Sequence, residues 1–131
     1  MATVADAMNK DVLTVEPSDT IGEAAEKMIG AGSGAVVVVE ASVRIIGICT
    51  ERDIMRAVAN RARAAEARVR QWMTESVVTI EPEVTVEEAA KIMFENKFRH
   101  LPVVKDGRPL GIVSLRELSR WEFQNATSAT K

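Results

Sequence analysis

Two short phrases in this chain carry side chains able to hold a polar ligand: Thr50-Glu51-Arg52-Asp53 and Ser114-Leu115-Arg116-Glu117. In each, a hydroxyl residue closes an apolar run and an acid follows three positions later, in what reads as the first turn of a helix. The unpaired amides of such a turn, with the Thr50 hydroxyl, can donate to a phosphate. The Asp53 carboxylate can accept both hydroxyls of a ribose, through charge-assisted hydrogen bonds worth roughly 1.5–3 kcal/mol each. Arg52 can add positive charge toward the phosphate. The same spacing also suits plain helix capping by Thr50, with Asp53 well placed on the helix dipole. Spacing alone leaves both readings open.

Other residue types narrow the chemistry. His100 is the only histidine and Cys49 the only cysteine, so a metal site built from these types is not expected. Cys49 lies within an apolar run and is expected to be buried. Ser114 has no recognisable base beside it, and no nucleophile–base pair stands out elsewhere, so catalysis is not expected. Gly30-Ala31-Gly32-Ser33-Gly34 resembles a phosphate loop only superficially, because it precedes a strand and lacks a lysine. It is expected to let the backbone pass close to a ligand or to the other repeat. Arg99 and His100 precede an apolar strand, where a solvated arginine and a hydrogen-bonded surface histidine are the plain reading.

The elements that must position these residues are legible from hydropathy and turn chemistry. Val4 to Met8 reads as a short opening helix and Val12 to Val15 as a short strand closed by Glu16-Pro17. Thr20 with Glu23 forms a capping-box signal for a helix carrying Ile21, Ala24, Ala25 and Met28 on one face. Ala35 to Val39 is a continuous apolar run, as expected of a strand buried on both faces. Ser42 to Arg44 makes a turn, and Ile45 to Thr50 is the next strand. Glu51 to about Arg68 is helical in composition, its later part, from Arg61, a solvated connector rather than a nucleic-acid patch. Near the other end, Arg99 to Lys105 and Arg108 to Ser114 are apolar strands joined by Asp106-Gly107, a strong two-residue hairpin signal. Asn125 to Lys131 is small and polar and reads as a frayed tail.

The chain repeats itself. Val4 matches Val69, Met8 matches Met73, Thr14 matches Thr79, and Glu16-Pro17 matches Glu81-Pro82. Glu23-Ala24-Ala25 then matches Glu88-Ala89-Ala90, and Met28 matches Met93. Each copy reads strand, helix, strand, strand, helix. Two such copies, related by a pseudo-twofold, can bury helix-flanked sheets that neither covers alone.

Composition excludes several classes. A chain of 131 residues fits one compact domain or two small interlocked halves. Hydrophobic content of 47% with 27% charged residues is that of a soluble globular protein. A net charge of −2 gives no general attraction to nucleic acid or anionic membranes. A single cysteine rules out an internal disulfide framework and points to a reducing cytoplasm. Asp6, Lys10, Asp11, Glu16 and Asp19 leave no signal-peptide core at the start. No apolar run approaches the ~20 residues of a membrane span.

These motifs resemble the cystathionine-β-synthase (CBS) domain pair, or Bateman module, over about residues 4–124. The family's opening phrase, Met-Thr-x-x-Val-x-Thr-Ile-x-Pro, is similar to Trp72-Met73-Thr74-Glu75-Ser76-Val77-Val78-Thr79-Ile80-Glu81-Pro82, with a looser version at Ala7 to Pro17. The middle phrase is matched by His100-Leu101-Pro102-Val103-Val104. The closing phrase is matched by Gly47 to Asp53 and by Gly111 to Glu117. The resemblance implies an α/β (α+β) fold of two tandem β-α-β-β-α repeats: 1–68 with its helical connector, 69–124, and a tail at 125–131. It implies a stand-alone regulatory module that binds AMP, ADP, ATP or S-adenosylmethionine in clefts between the repeats. Ligand contacts would come from Thr50, Arg52 and Asp53 in copy one and Ser114, Arg116 and Glu117 in copy two. Arg99, His100 and Pro102 would add to these, the two basic residues toward phosphate.

The resemblance further implies a homodimer formed through the repeat helices. Met28, Ile92, Met93 and Phe94, with Trp121 and Phe123, offer it more apolar surface than one sheet-facing stripe needs. A regulated partner protein is implied as well. Three departures favour a ligand-free dimerisation or scaffold module instead. Glu117 replaces the expected Asp, Val36 stands where Pro is frequent, and Ser33-Gly34 stands where copy two has Arg99-His100.

Overall fold

Apolar runs interrupted by capping and turn residues produce six helices and five strands among the described residues of the computed structural model, which are 2–41 and 43–129. In chain order these are α1 (Val4–Ala7), β1 (Thr14–Val15), α2 (Ile21–Ala31), β2 (Ala35–Glu40), β3 (Arg44–Thr50), α3 (Glu51–Ala59), α4 (Val69–Trp72), α5 (Val86–Asn96), β4 (His100–Lys105), β5 (Arg108–Ser114) and α6 (Leu115–Ala129). They form two compact units. One is Leu13–Val77; the other joins the chain up to Val12 with the chain from Val78 onward. The short helices α1 and α4 therefore each pack in the unit built mainly from the other copy.

In the Leu13–Val77 unit the sheet runs β1-β2-β3, with β1 parallel to β2 and β2 antiparallel to β3. Ala35 to Val39 is buried throughout, as the uninterrupted apolar run requires. Ile21, Ala24 and Met28 of α2 pack with Val36, Val38 and Cys49 into one core. Of these, Ile21, Met28, Val36 and Val38 each contribute about 1.5–3 kcal/mol when fully removed from water. The capping box starts α2 as expected: Glu23 N–H donates to Thr20 Oγ1 at 3.1 Å, and Thr20 N–H to Glu23 Oε1 at 3.0 Å. Arg44 pairs with Glu40, so β3 begins one residue before Ile45. Ser42, part of the expected turn, lies outside the described residues.

The helix expected to run from Glu51 to about Arg68 stops at Ala59. Arg61 has φ of 63°, which no right-handed helix accommodates. The connector is a run of turns with a specific task. Ala67 and Ala64 carbonyls accept the amides of Ile21 and Gly22, both at 2.9 Å, satisfying first-turn donors of α2 that have no partner within that helix. Arg68 donates to the Ser18 carbonyl at 2.9 Å. Composition favours a helix here, but these long-range bonds take the backbone elsewhere.

The other unit has its own core of Val4, Ile80, Val86, Ala89, Met93, Leu101, Val103, Val113 and Leu118. β4 and β5 pair antiparallel from His100–Ser114 to Lys105–Arg108. Asp106 and Gly107 take φ of 52° and 78°, the two left-handed residues of the expected tight hairpin turn. The first strand of copy two is reduced to one parallel bridge, Ile80 to Val103. Proline explains the loss. In copy one, Val37 N–H donates to Leu13 O at 2.8 Å, anchoring β1. The corresponding residue of copy two is Pro102, which has no N–H to give. At the far end α6 continues to Ala129, so residues 125–129 of the expected tail are helical, while 130 and 131 lie outside the described residues.

The helix surfaces also differ from expectation. Met28 and Met93 are 5% and 1% exposed and belong to the cores, and Ile92 and Trp121 are partly buried against one of them. Phe94 is exposed, as is Ile29 at the matching position of α2.

Candidate functional site

Each copy places its closing phrase where a central strand runs straight into a helix. Thr50 ends β3 and Glu51 starts α3; Ser114 ends β5 and Leu115 starts α6. The first helical amide of each is tied down identically, Glu51 N–H to Gly34 O at 3.0 Å and Leu115 N–H to Arg99 O at 2.9 Å. These bonds correct the alignment of the copies. Gly34 and Ala35 correspond to Arg99 and His100, not Ser33 and Gly34, and Val37 rather than Val36 stands opposite Pro102's place. Ala35 faces Thr50 across the ladder as His100 faces Ser114.

A second strand segment flanks each junction. Thr74 and Ile48 exchange two backbone hydrogen bonds, at 2.8 and 3.0 Å, and Asn9 and Ile112 do so at 2.9 and 3.0 Å. Gly47 and Gly111 make this approach fit. A β-carbon on Gly47 would meet Met73 Sδ at 2.7 Å and Thr74 O at 3.0 Å. On Gly111 it would meet Met8 Sδ at 2.6 Å and Asn9 O at 2.8 Å.

The two acids are held differently. Asp53 is 3% exposed, the only buried charged residue among those described. Its Oδ2 accepts from Thr50 N–H at 2.9 Å and from the Thr50 hydroxyl at 3.4 Å. Its Oδ1 accepts from Arg56 Nη1 at 2.7 Å and from the Thr74 hydroxyl at 3.4 Å. Glu117 is half-buried and folds back on its own helix start. Its Oε1 accepts from Ser114 N–H at 3.1 Å and from Ser114 Oγ at 3.0 Å, while Glu117 N–H donates to Ser114 Oγ at 3.1 Å. The extra methylene of glutamate permits this closed reciprocal cap.

The remaining candidates fall around these junctions. Arg52 and Arg116 are exposed within the first helical turns, and Arg99 is exposed just before β4. His100 is half-buried at the head of β4, and Pro102 is buried in that strand opposite Ile112. Copy one thus surrounds its junction with Glu51, Arg52 and Asp53, and copy two with Arg99, Arg116 and Glu117. The first setting suits a neutral polyol and the second an anion. The glycine segment behaves unevenly. Gly30 and Gly32 have nothing close by, whereas a β-carbon on Gly34 would strike the Glu51 carboxylate. What passes close there is a side chain of the junction itself. Cys49 is fully buried, and burial, with the Asp53 charge adding to it, pushes its thiol up to about 12, so it stays protonated and unreactive near neutrality.

Three residues at the copy-one junction escaped the sequence reading: Arg56, Trp72 and Thr74. The Arg56 guanidinium lies 5.8 Å from the centre of the Trp72 ring. The i,i+3 spacing of Asp53 and Arg56 on one helix face was an available signal. The arrival of Trp72 and Thr74 was not, because it depends on where copy two's opening phrase packs.

Comparison with known proteins agrees with this architecture. The CBS domain family model matches residues 4–60 and again 69–123. An uncharacterized 17.7 kDa protein of Acidianus ambivalens is 41% identical over 122 residues, which are 92% of this chain and 73% of that one. The crystal structure of the CBS domain pair of protein MJ0100, in complex with 5′-methylthioadenosine and S-adenosyl-L-methionine, is similar with a TM-score of 0.88 at 27% identity. That match covers 95% of this chain and 98% of the other. CBSX2, solved in complex with AMP, gives a TM-score of 0.83 at 25% identity, covering 96% and 99%.

Proposed function

The chain belongs to the CBS-domain family, with two CBS domains in tandem, and on that premise we propose that it is a regulatory or sensor module, not an enzyme, that binds an adenosine-containing ligand in the cytoplasm. AMP, ADP, ATP and S-adenosylmethionine are the candidates, and the output passes to a protein partner. The observation that carries the reading is the burial of Asp53 beside Thr50. A helix cap needs no burial: Glu23 and Asp6 cap their helices from exposed positions. The Asp53 carboxylate is instead held at 3% exposure at a strand-to-helix junction, paired there with the Arg56 guanidinium at 2.7 Å, so a charge beyond what capping needs is kept in place for a polar ligand able to exchange with that partner. Solved relatives of the same fold hold S-adenosylmethionine, 5′-methylthioadenosine or AMP, which supports a nucleoside as the user.

Copy one is the better adenosine site, because an aspartate reaches a ribose diol from the first helical turn without folding back. Arg99, Arg116 and His100 draw phosphate toward copy two, so a highly charged ligand shifts the balance there. Calorimetry with AMP on wild type, Asp53→Ala and Glu117→Ala tests the order. Asp53→Ala is expected to weaken the tightest event by more than about tenfold, or 1.4 kcal/mol. Glu117→Ala is expected to leave that event unchanged, and the opposite pattern would move the main site to copy two. The engagement of both acids by their own helix starts favours a second reading, a ligand-free dimerisation scaffold. That reading gains if no folded variant binds.

The module acts as a homodimer. Ile29 and Phe94, 82% and 87% exposed at matching positions of α2 and α5, each give their own unit an exposed apolar side chain to pair through. Light scattering at tens of micromolar is expected to give twice the chain mass, and a monomer mass would defeat the proposal.

A further inference from the structure

Resting on the adenosine-site reading, we infer that Arg56 is a latch that closes the copy-one site and that a ribose must displace. An ionised carboxylate offers about four acceptor positions. Those of Asp53 are filled unequally: Thr50 N–H holds Oδ2 at 2.9 Å and Arg56 Nη1 holds Oδ1 at 2.7 Å, while the hydroxyls of Thr50 and Thr74 reach the same two oxygens only at 3.4 Å. A diol can therefore enter only where a partner leaves. Thr50 N–H is backbone and stays. The Thr50 and Thr74 hydroxyl contacts are both long, at 3.4 Å, and losing either uncovers little while Arg56 stays on Oδ1. Arg56 is the partner able to leave, because its side chain is 52% exposed while that of Asp53 is 4% exposed, and its guanidinium returns to water on release.

Trp72 makes the closed position a defined one. Its ring stands 5.8 Å from the guanidinium, so Arg56 rests between a carboxylate and an aromatic face. Copy two has no such device. Ala7 occupies the place of Trp72, and among the described residues no ion pair joins Glu117 to Arg120, the counterpart of Arg56. The latch filters ligands: a nucleoside gains entry when its diol, with whatever else it contacts, outbids Arg56 for Oδ1.

Adenosine is the probe that isolates this exchange, since it carries the diol and no phosphate with which a displaced Arg56 could pair. The test is calorimetry with adenosine and 2′-deoxyadenosine on wild type, Arg56→Met and Arg56→Lys. A latch closed in four of five molecules or more hides the site by that fraction, so Arg56→Met is expected to bind adenosine at least about fivefold tighter. Its preference for adenosine over 2′-deoxyadenosine is expected to rise as well, a change that mere loosening of the helix would not produce. Arg56→Lys, which keeps a charge but not the fork, is expected to fall between, and it decides the matter if Arg56→Met does not fold. Binding of adenosine by wild type with no tightening in the variants overturns the latch and leaves the site standing. No binding by any folded protein overturns the adenosine site and the latch together.

Discussion

Valine in place of Gly111 is expected to cost the fold about 3 kcal/mol or more and to lower the melting temperature by roughly 10 °C. The β-carbon alone would meet Asn9 O at 2.8 Å and Met8 Sδ at 2.6 Å, and valine adds two methyl groups beyond it. The methionine can swing aside. The Asn9 carbonyl cannot, because it accepts Ile112 N–H at 3.0 Å and its own N–H is bound to Ile112 O at 2.9 Å. Accommodating the side chain means opening that bridge, with a net loss of about 1 kcal/mol per hydrogen bond on top of the overpacking. Gly30→Ala is the control. Nothing lies near Gly30 within α2, so alanine there is expected to be neutral or to stabilise by up to about 1 kcal/mol. A Gly111→Val protein melting within about 2 °C of wild type would show that Asn9 is not seated against β5.

Leu101→Ala is expected to destabilise by about 2–5 kcal/mol. Leu101 has no solvent exposure and sits among Val4, Ile80, Met93, Val103 and Leu118, which cannot all collapse into the space it vacates. Leu110 loses the same atoms in the neighbouring strand but is 39% exposed, so Leu110→Ala is expected to cost under about 1 kcal/mol. Urea unfolding of the pair, with unchanged slopes, is the measurement. Equal losses would place Leu101 outside the core.

These contrasts separate what a single sequence discloses from what it hides. Features set by near neighbours were legible: the Asp106-Gly107 turn, the Thr20–Glu23 box, the buried run from Ala35 to Val39 and the burial of Cys49. Each depends on the chemistry of a few adjacent residues. Features set by distant bonds were not. The stretch from Arg61 to Arg68 has helical composition, yet Ala64 and Ala67 serve the start of α2. Past Asn125 the composition is small and polar, yet no glycine or proline interrupts α6, whose bounds reach Ala129. Alignment of the copies around Gly34 slipped by one residue, since only the bond to Glu51 fixes it. At the candidate site, Thr50 and Asp53 were visible from spacing, whereas Arg56, Trp72 and Thr74 converge on the carboxylate only after packing.

The division of the chain between its units has a consequence for the order in which it can be assembled. Leu13–Val77 is one uninterrupted stretch, so every partner it needs is present once Val77 has been made. The other unit draws Val4 and Met8 from one end and Leu101, Val113 and Leu118 from the other. Its Asn9–Ile112 bridge closes a loop that contains the whole first unit. Closing a loop as a flexible chain carries an entropy cost that grows with its length, and a middle already folded shortens the flexible part. Synthesis from the amino terminus thus favours the contiguous unit first, with α1 waiting on the nascent chain, its apolar Val4 uncovered, until β5 exists to receive it.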